Sequence, residues 1–281
     1  MTRAGRTLAA LGAGFRAPVL PENLRGLVAA LSDPEAGLVK LERIIVRDPG
    51  LVMRILRTVN AATFGLPNRI GDIRQAIILL GVPAVSTLAA GYLVTGTIGG
   101  SPGLATAQVR RCWRRAVRDA AGVRLLARDL PPADGQAVLL AAMCQHVGHL
   151  MLARHFGDRY TDLGEGKPLP TPDLETALVG IDHAVAGSAL LSGWEFPAPV
   201  VAMVELHHTD VRGPGAGDGV RRLQAATALL DGLDRDPGLL GRPAIAVDER
   251  LRDALSSIGW TWERVAGERR NWQAAALGPA E

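Results

Sequence analysis

The sequence predicts an all-α fold, a multi-helix bundle, on three observations. Apolar residues recur every three to four positions in one stretch after another, the period of a helix with a single buried face. Asp, Ser, Pro and Gly bound these stretches where helices start and stop. Hydrophobic residues make up 48% of the 281 residues but aromatics only 4%, with Ala, Leu, Val and Gly prominent. That composition suits closely packed helices and argues against a surface on which bases stack.

Residues 1–14 read as a loose tail. A helix over 18–31 places Leu24, Leu27, Val28 and Leu31 on one face, and Ser32-Asp33-Pro34 turns the chain. The next helix, 38–46, has Leu38, Leu41, Ile44 and Ile45 inward and Gly37 as its cap. Residues 48–81 organise the rest as helix, ordered turn, helix. Asp48 can cap the first helix, and Pro49 suits its first turn because the missing N–H costs nothing there. Leu51, Ile55 and Val59 recur four apart. Asn60 and the turn Phe64-Gly65-Leu66-Pro67 follow. Asp72 with Gln75 three residues on is a variant capping box for a helix that buries Ile73, Ala76, Ile77 and Leu80 and ends at Gly81.

A helix over 83–93 follows, then a loop over 96–103 and a long helix over 105–129 carrying Arg110, Arg111, Arg114, Arg115 and Arg118. Pro131-Pro132 stops it. The stretch 136–156 is apolar on nearly all sides and reads as one central helix. After a loop over 157–172 come helices over 174–191, 199–208, 222–233 and 249–258, with a Gly-rich linker over 213–219. Trp260, Trp262 and Trp272 are expected to pin the C-terminal segment onto the domain.

The net charge of +3 is too weak to imply nucleic acid. Cys112 and Cys144 stand apart with no CxxC pair, which fits a reduced, cytoplasmic setting. No signal-peptide pattern opens the chain. Residues 75–109 carry no charge, longer than a membrane span, but Gly and Pro interrupt the run and Ser and Thr dilute it, so a buried core helix is expected.

The stretch RDPGLVMRILRTVNAATFGLPNRIGDIRQAIILLG resembles the signature of the HDOD family, output-type relatives of HD phosphohydrolases, including its Asn60, Phe64 and Gly65 positions. Leu20-Pro21, Trp194-Glu195-Phe196-Pro197 and the dipeptide His207-His208 resemble further family segments. The resemblance covers residues 15–265, implying one HDOD-like domain with 266–281 as a C-terminal tail.

HD phosphohydrolases hold a divalent metal with a His from one helix and a His-Asp pair from the next. On the resemblance, the upstream His falls on Arg115, the pair on Gln145 and His146, and a family Lys on His149. A guanidinium cannot ligate a metal and its fixed charge repels one. The resemblance therefore implies an eroded site: no metal, no cofactor, no catalysis. His146 and His149 are three apart, a spacing that can share an ion, and His183 or His207 could join them; the plainer reading is polar packing groups. His207 and His208, adjacent and about 100° apart on a helix, suit a C-cap better than chelation. Arg111, Arg114, Arg115 and Arg118 are candidate anion ligands on a face that is otherwise simply solvated.

The expected function is a non-catalytic signalling or regulatory module that binds a partner protein, with a small phosphate-bearing ligand as a further option and no membrane role. The alternative is a metal-dependent phosphohydrolase acting on a nucleotide or cyclic dinucleotide. A nucleic-acid-associated regulator using the arginine helix is the weakest reading.

Overall fold

A computed structural model of the chain describes residues 18–31, 37–60, 70–99, 106–161, 169–209 and 217–277. Among them the chain is helical throughout, with no strand. Phe64, Gly65 and the 1–14 tail lie outside the described residues.

The N-terminal layer is α1 (Glu22–Leu31), α2 (Leu38–Ile45), α3 (Pro49–Val59) and α4 (Ile73–Leu80). Asp48 accepts a hydrogen bond from the Leu51 amide at 3.0 Å, so the first predicted cap forms. At the second, Asp72 accepts from the Gln75 amide at 2.7 Å, and Gln75 Oε1 accepts in return from the Gly71 amide at 2.8 Å. Gly81, at φ 84°, ends α4 in a conformation that favours glycine. Asn60 joins the two halves of this unit. Its Nδ2 donates to the Leu56 carbonyl at 2.8 Å and the Ile70 carbonyl at 2.9 Å, and its Oδ1 accepts from the Ile70 amide at 2.7 Å. Replacing Asn60 with Ala would leave the Ile70 groups without this partner, and urea titration should show a loss of about 2–3 kcal/mol. A change within error would show that Ile70 finds other partners.

Helix α5 (Val82–Gly99) runs beyond the predicted 83–93. Gly96 and Gly99 do not break it. A Cβ on Gly99 would sit 2.8 Å from Val109 Cγ1, so the missing side chain allows a close approach of α6 (Thr106–Leu126). By length and composition α5 could cross a membrane, but 67% of it is buried against protein, as expected of a core helix.

Two predicted helices are each two. The 136–156 stretch is α7 (Pro132–Cys144) and α8 (Val147–Phe156), parted by a turn at Gln145 and His146. The 174–191 stretch is α10 (Pro172–Val179) and α11 (His183–Gly193), bent by 83°. Gly180 takes the left-handed conformation that ends α10, and Asp182 caps α11 by accepting from the Val185 amide at 2.9 Å. Between α8 and α10 lies one turn of helix, α9 (Asp158–Thr161).

Helix α7 is central, packing on α5, α6, α12 (Ala198–Leu206) and α13 (Asp218–Arg235). Helices α8 and α11 cross most closely, backbone on backbone: a Cβ on Gly148 would fall 1.9 Å from the His183 carbonyl oxygen. The chain closes with α14 (Glu249–Ser256), α15 (Trp262–Gly267) and α16 (Arg269–Leu277). Trp260, Trp262 and Trp272 are all buried, as expected. Helix α16 occupies much of the stretch read as a tail, because Trp272 anchors it against α6 beside Gly122.

Candidate functional site

The motif positions gather at the turn between α7 and α8. Gln145 and His146 there are buried, and both reach Asp119 on α6. Asp119 Oδ2 accepts from Gln145 Nε2 at 2.7 Å, from His146 Nε2 at 2.8 Å and from Arg115 Nε at 3.0 Å. Arg115 also pairs with Asp231 of α13 at 2.6 Å. The position that the resemblance assigns to the upstream metal ligand thus holds an internal ion pair, and the one it assigns to the pair's histidine holds an amide spent on a carboxylate. Arg115 and Gln145 do not fit a metal.

His149, His183, His207 and His208 converge beside this network. Glu175, fully buried on α10, supports two of them. Its Oε2 accepts from the His183 amide at 2.8 Å and from His183 Nδ1 at 2.6 Å. Its Oε1 accepts from the Tyr160 hydroxyl and lies 2.9 Å from His149 Nδ1, which donates to that hydroxyl at 2.6 Å. His183 stands at the first position of α11, and His149 lies in the first turn of α8; their rings stack at 3.8 Å. His207 is the C-cap of α12, and its Nδ1 donates to the Val204 carbonyl at 2.7 Å, which fulfils the predicted capping role. His208 lies beyond the helix end. The 100° separation of helical neighbours therefore does not hold, and both Nε2 atoms approach His183 Nε2, at 3.2 Å for His207 and 3.0 Å for His208.

Burial disfavours the charged form of every one of these imidazoles. It holds His146 and His207 well below the ordinary histidine value, helped by Arg115 for His146 and by His208 for His207. His183 and His208 are lowered to about 4, burial first and then a neighbouring imidazole, against the opposing pull of Glu175. His149 is lowered too, burial outweighing Glu175. At neutral pH the cluster is uncharged. Burial alone would raise the Glu175 carboxyl, but the hydrogen bonds from His149 and His183 outweigh it and hold the group below the carboxylate range.

The candidate anion face divides. Arg115 and Arg118 turn inward to carboxylates, Arg118 meeting Asp231 at 3.1 Å and also Asp234. Arg114 lines a cavity of about 470 Å³ with Arg54, Arg57 and Arg110, beside the stacked rings of Tyr92 and Trp113. Arg111 does not line it. The four predicted arginines therefore form no single site, because Asp231 and Asp234 arrive from a helix distant in sequence.

The carboxylates are what the sequence reading missed. Asp119 follows Arg115 at the i,i+4 spacing of a helical ion pair and could have been found there. Glu175 lies eight residues before His183, and the signal was Gly180 followed by the Asp182 cap, which reverses the chain between them.

The HDOD domain family model matches residues 17–210. An uncharacterized protein of Treponema pallidum is 25% identical over 209 residues, 70% of this chain and 38% of the relative, so the chain spans well under half of that protein. Among solved structures, an HDOD domain protein of unknown function from Geobacter sulfurreducens superimposes with a TM-score of 0.70 at 17% identity, covering 97% of this chain and 95% of that one. A proposed phosphohydrolase from Shewanella amazonensis gives 0.69 at 18% identity, with 94% and 95% covered. A proposed signal transduction protein from Marinobacter aquaeolei gives 0.67 at 18%, with 99% and 61% covered. These likenesses show the fold.

Proposed function

Because the chain belongs to the HDOD domain family, we propose that it is a non-catalytic signalling module that works by binding, in a reducing cytoplasm, to a partner protein and a phosphate-bearing small ligand. One observation carries this reading: at the family's metal position Arg115 and Gln145 are both bound to Asp119, so no metal-activated water has a place there. His146 alone is a general base worth about 10²–10⁴-fold, far short of what phosphoester hydrolysis needs. The cavity lined by Arg54, Arg57, Arg110 and Arg114 offers guanidinium groups for phosphate, with Tyr92 and Trp113 supplying an aromatic wall. Exposed apolar side chains on or just after α2, α3 and α4, namely Val39, Val46, Met53, Ile78 and Leu79, supply contact area for a protein partner.

Titration with a cyclic dinucleotide, ATP and an oligonucleotide at two salt concentrations tests the ligand. A small phosphate ligand should bind with affinity that falls with salt, and Arg110→Ala should weaken it about 10-fold, the worth of one charge-assisted hydrogen bond. No binding at low salt would remove the ligand from the proposal. Turnover of any phosphodiester with Mn²⁺ or Mg²⁺, lost on His146→Ala, would overturn the non-catalytic reading.

A further inference from the structure

Hydrogen-bond accounting in the histidine cluster leaves a deficit. Glu175 can only accept, so His183 Nδ1 must be the protonated nitrogen, and its neutral ring then presents an unprotonated Nε2. The Val204 carbonyl can only accept, so His207 Nδ1 carries the proton and its Nε2 is likewise a lone pair. These two lone pairs face each other at 3.2 Å, and His208 Nε2 closes on the same point, 3.0 Å from His183 Nε2. Two acceptors cannot bond to one another. Facing lone pairs at this distance need an electrophile, and His208, which as the Nε2–H tautomer can donate to His183, has only one proton to give, whereas a metal ion meets all three nitrogens.

The same reasoning extends to the neighbours. The Tyr160 hydroxyl gives its proton to Glu175 and so accepts from His149 Nδ1, which leaves His149 Nε2 bare. His146 Nε2 donates to Asp119, and His146 Nδ1 is buried with no partner at all. The donor nitrogens of His183, His207 and His208 lie within 4.8 Å of one another, as do those of His146, His149 and His183. His183 belongs to both groups, and one nitrogen serves one ion, so the cluster holds a single ion at a time.

We propose that His183, His207 and His208 coordinate one divalent transition-metal ion of the zinc class through their Nε2 atoms. Neutral imidazoles select zinc and its neighbours over magnesium or calcium, which want oxygen. The separations of 3.0 and 3.2 Å approach the roughly 3.4 Å edge of a tetrahedral site with zinc–nitrogen bonds of about 2.0–2.1 Å. Glu175 on His183 and the Val204 carbonyl on His207 are the outer partners that orient metal-bound imidazoles. His208 is solvent-exposed and gives the ion its way in. His183 and His207 are buried. The ion ties the start of α11 to the end of α12. This site goes beyond the binding role proposed above and survives its failure, since metal content is read without any activity.

The test is elemental analysis of the full chain after chelator treatment, loading with Zn²⁺ and dialysis, with a competing chromophoric chelator for affinity. One zinc per chain is expected. His208→Ala keeps the fold, because that ring is exposed, and should release the metal; circular dichroism checks the fold. Glu175→Gln should weaken binding 10–100-fold. His146→Ala should retain one zinc per chain. Wild-type protein that returns from dialysis without zinc would overturn the proposal. So would loss of zinc on His146→Ala with retention on His208→Ala, which would move the ion to the other three histidines.

Discussion

Glu175→Ala should cost about 3–5 kcal/mol in the metal-free protein, because it leaves several buried donors without an acceptor at about 1–3 kcal/mol each. Glu175 accepts from the His183 amide, His183 Nδ1 and the Tyr160 hydroxyl, and lies 2.9 Å from His149 Nδ1. Alanine accepts from none of them and opens a cavity where water has little access. Urea unfolding should show a lower midpoint at an unchanged slope. The pH dependence has a definite sign. The carboxyl is held below its ordinary range, so its stabilisation is full above the unfolded value of about 4 and is lost as pH falls through the folded one. The gap between wild type and variant should therefore begin to narrow below about pH 4. A midpoint change worth less than about 1 kcal/mol at neutral pH would show that the imidazoles satisfy one another without the carboxylate.

Gly148→Ala should be nearly as damaging, at about 3–4 kcal/mol, the top of the usual overpacking range and slightly beyond it. The added methyl would meet the His183 oxygen at 1.9 Å, its carbonyl carbon at 2.7 Å and its Cα at 2.8 Å. All three are backbone atoms that cannot rotate aside, so α8 and α11 must part by roughly 1–1.5 Å to regain ordinary contact. Two controls separate this from generic glycine effects. Gly91→Ala meets the Met143 Cε at 2.3 Å, the far end of a flexible side chain, and should cost less. Gly180→Ala has open space around it but φ at +78°, and should cost about 1 kcal/mol from backbone strain alone. A melting temperature for Gly148→Ala no lower than that for Gly180→Ala would show that the crossing is looser than described.

What the sequence made legible is local. Asp48, Asp72 and Asn60 act where the reading placed them, because a cap or a turn depends on residues a few positions away. The bend at Gly180 was written in the sequence but hidden by apolar residues on both sides of it. The turn at Gln145 and His146 had no Gly or Pro to announce it. The site itself is non-local. Its carboxylates and imidazoles come from α6, α8, α10, α11 and the ends of α7 and α12, and no spacing in the chain says that Asp119 and His146, or His183 and His208, will meet. Reading Arg118 as part of a solvated face failed for the same reason, since its partners stand more than a hundred residues away on α13.

The arginine pairing to α13 also bears on where this molecule begins and ends as a physical object. The match to the family model stops at residue 210. Yet Asp231 beyond it neutralises Arg115 and Arg118, Arg222 donates to the Leu126 carbonyl, Glu268 clasps Arg128 with two hydrogen bonds, and Trp272 seals the side of α6. The family model and the packing therefore draw different borders. The matched segment supplies the motif and the histidines, while the last 61 described residues supply counter-charge and apolar cover to the helix that carries Asp119. A substitution near residue 231 or 272 can thus reach the candidate site through α6 without lying in any part of the chain that the family defines.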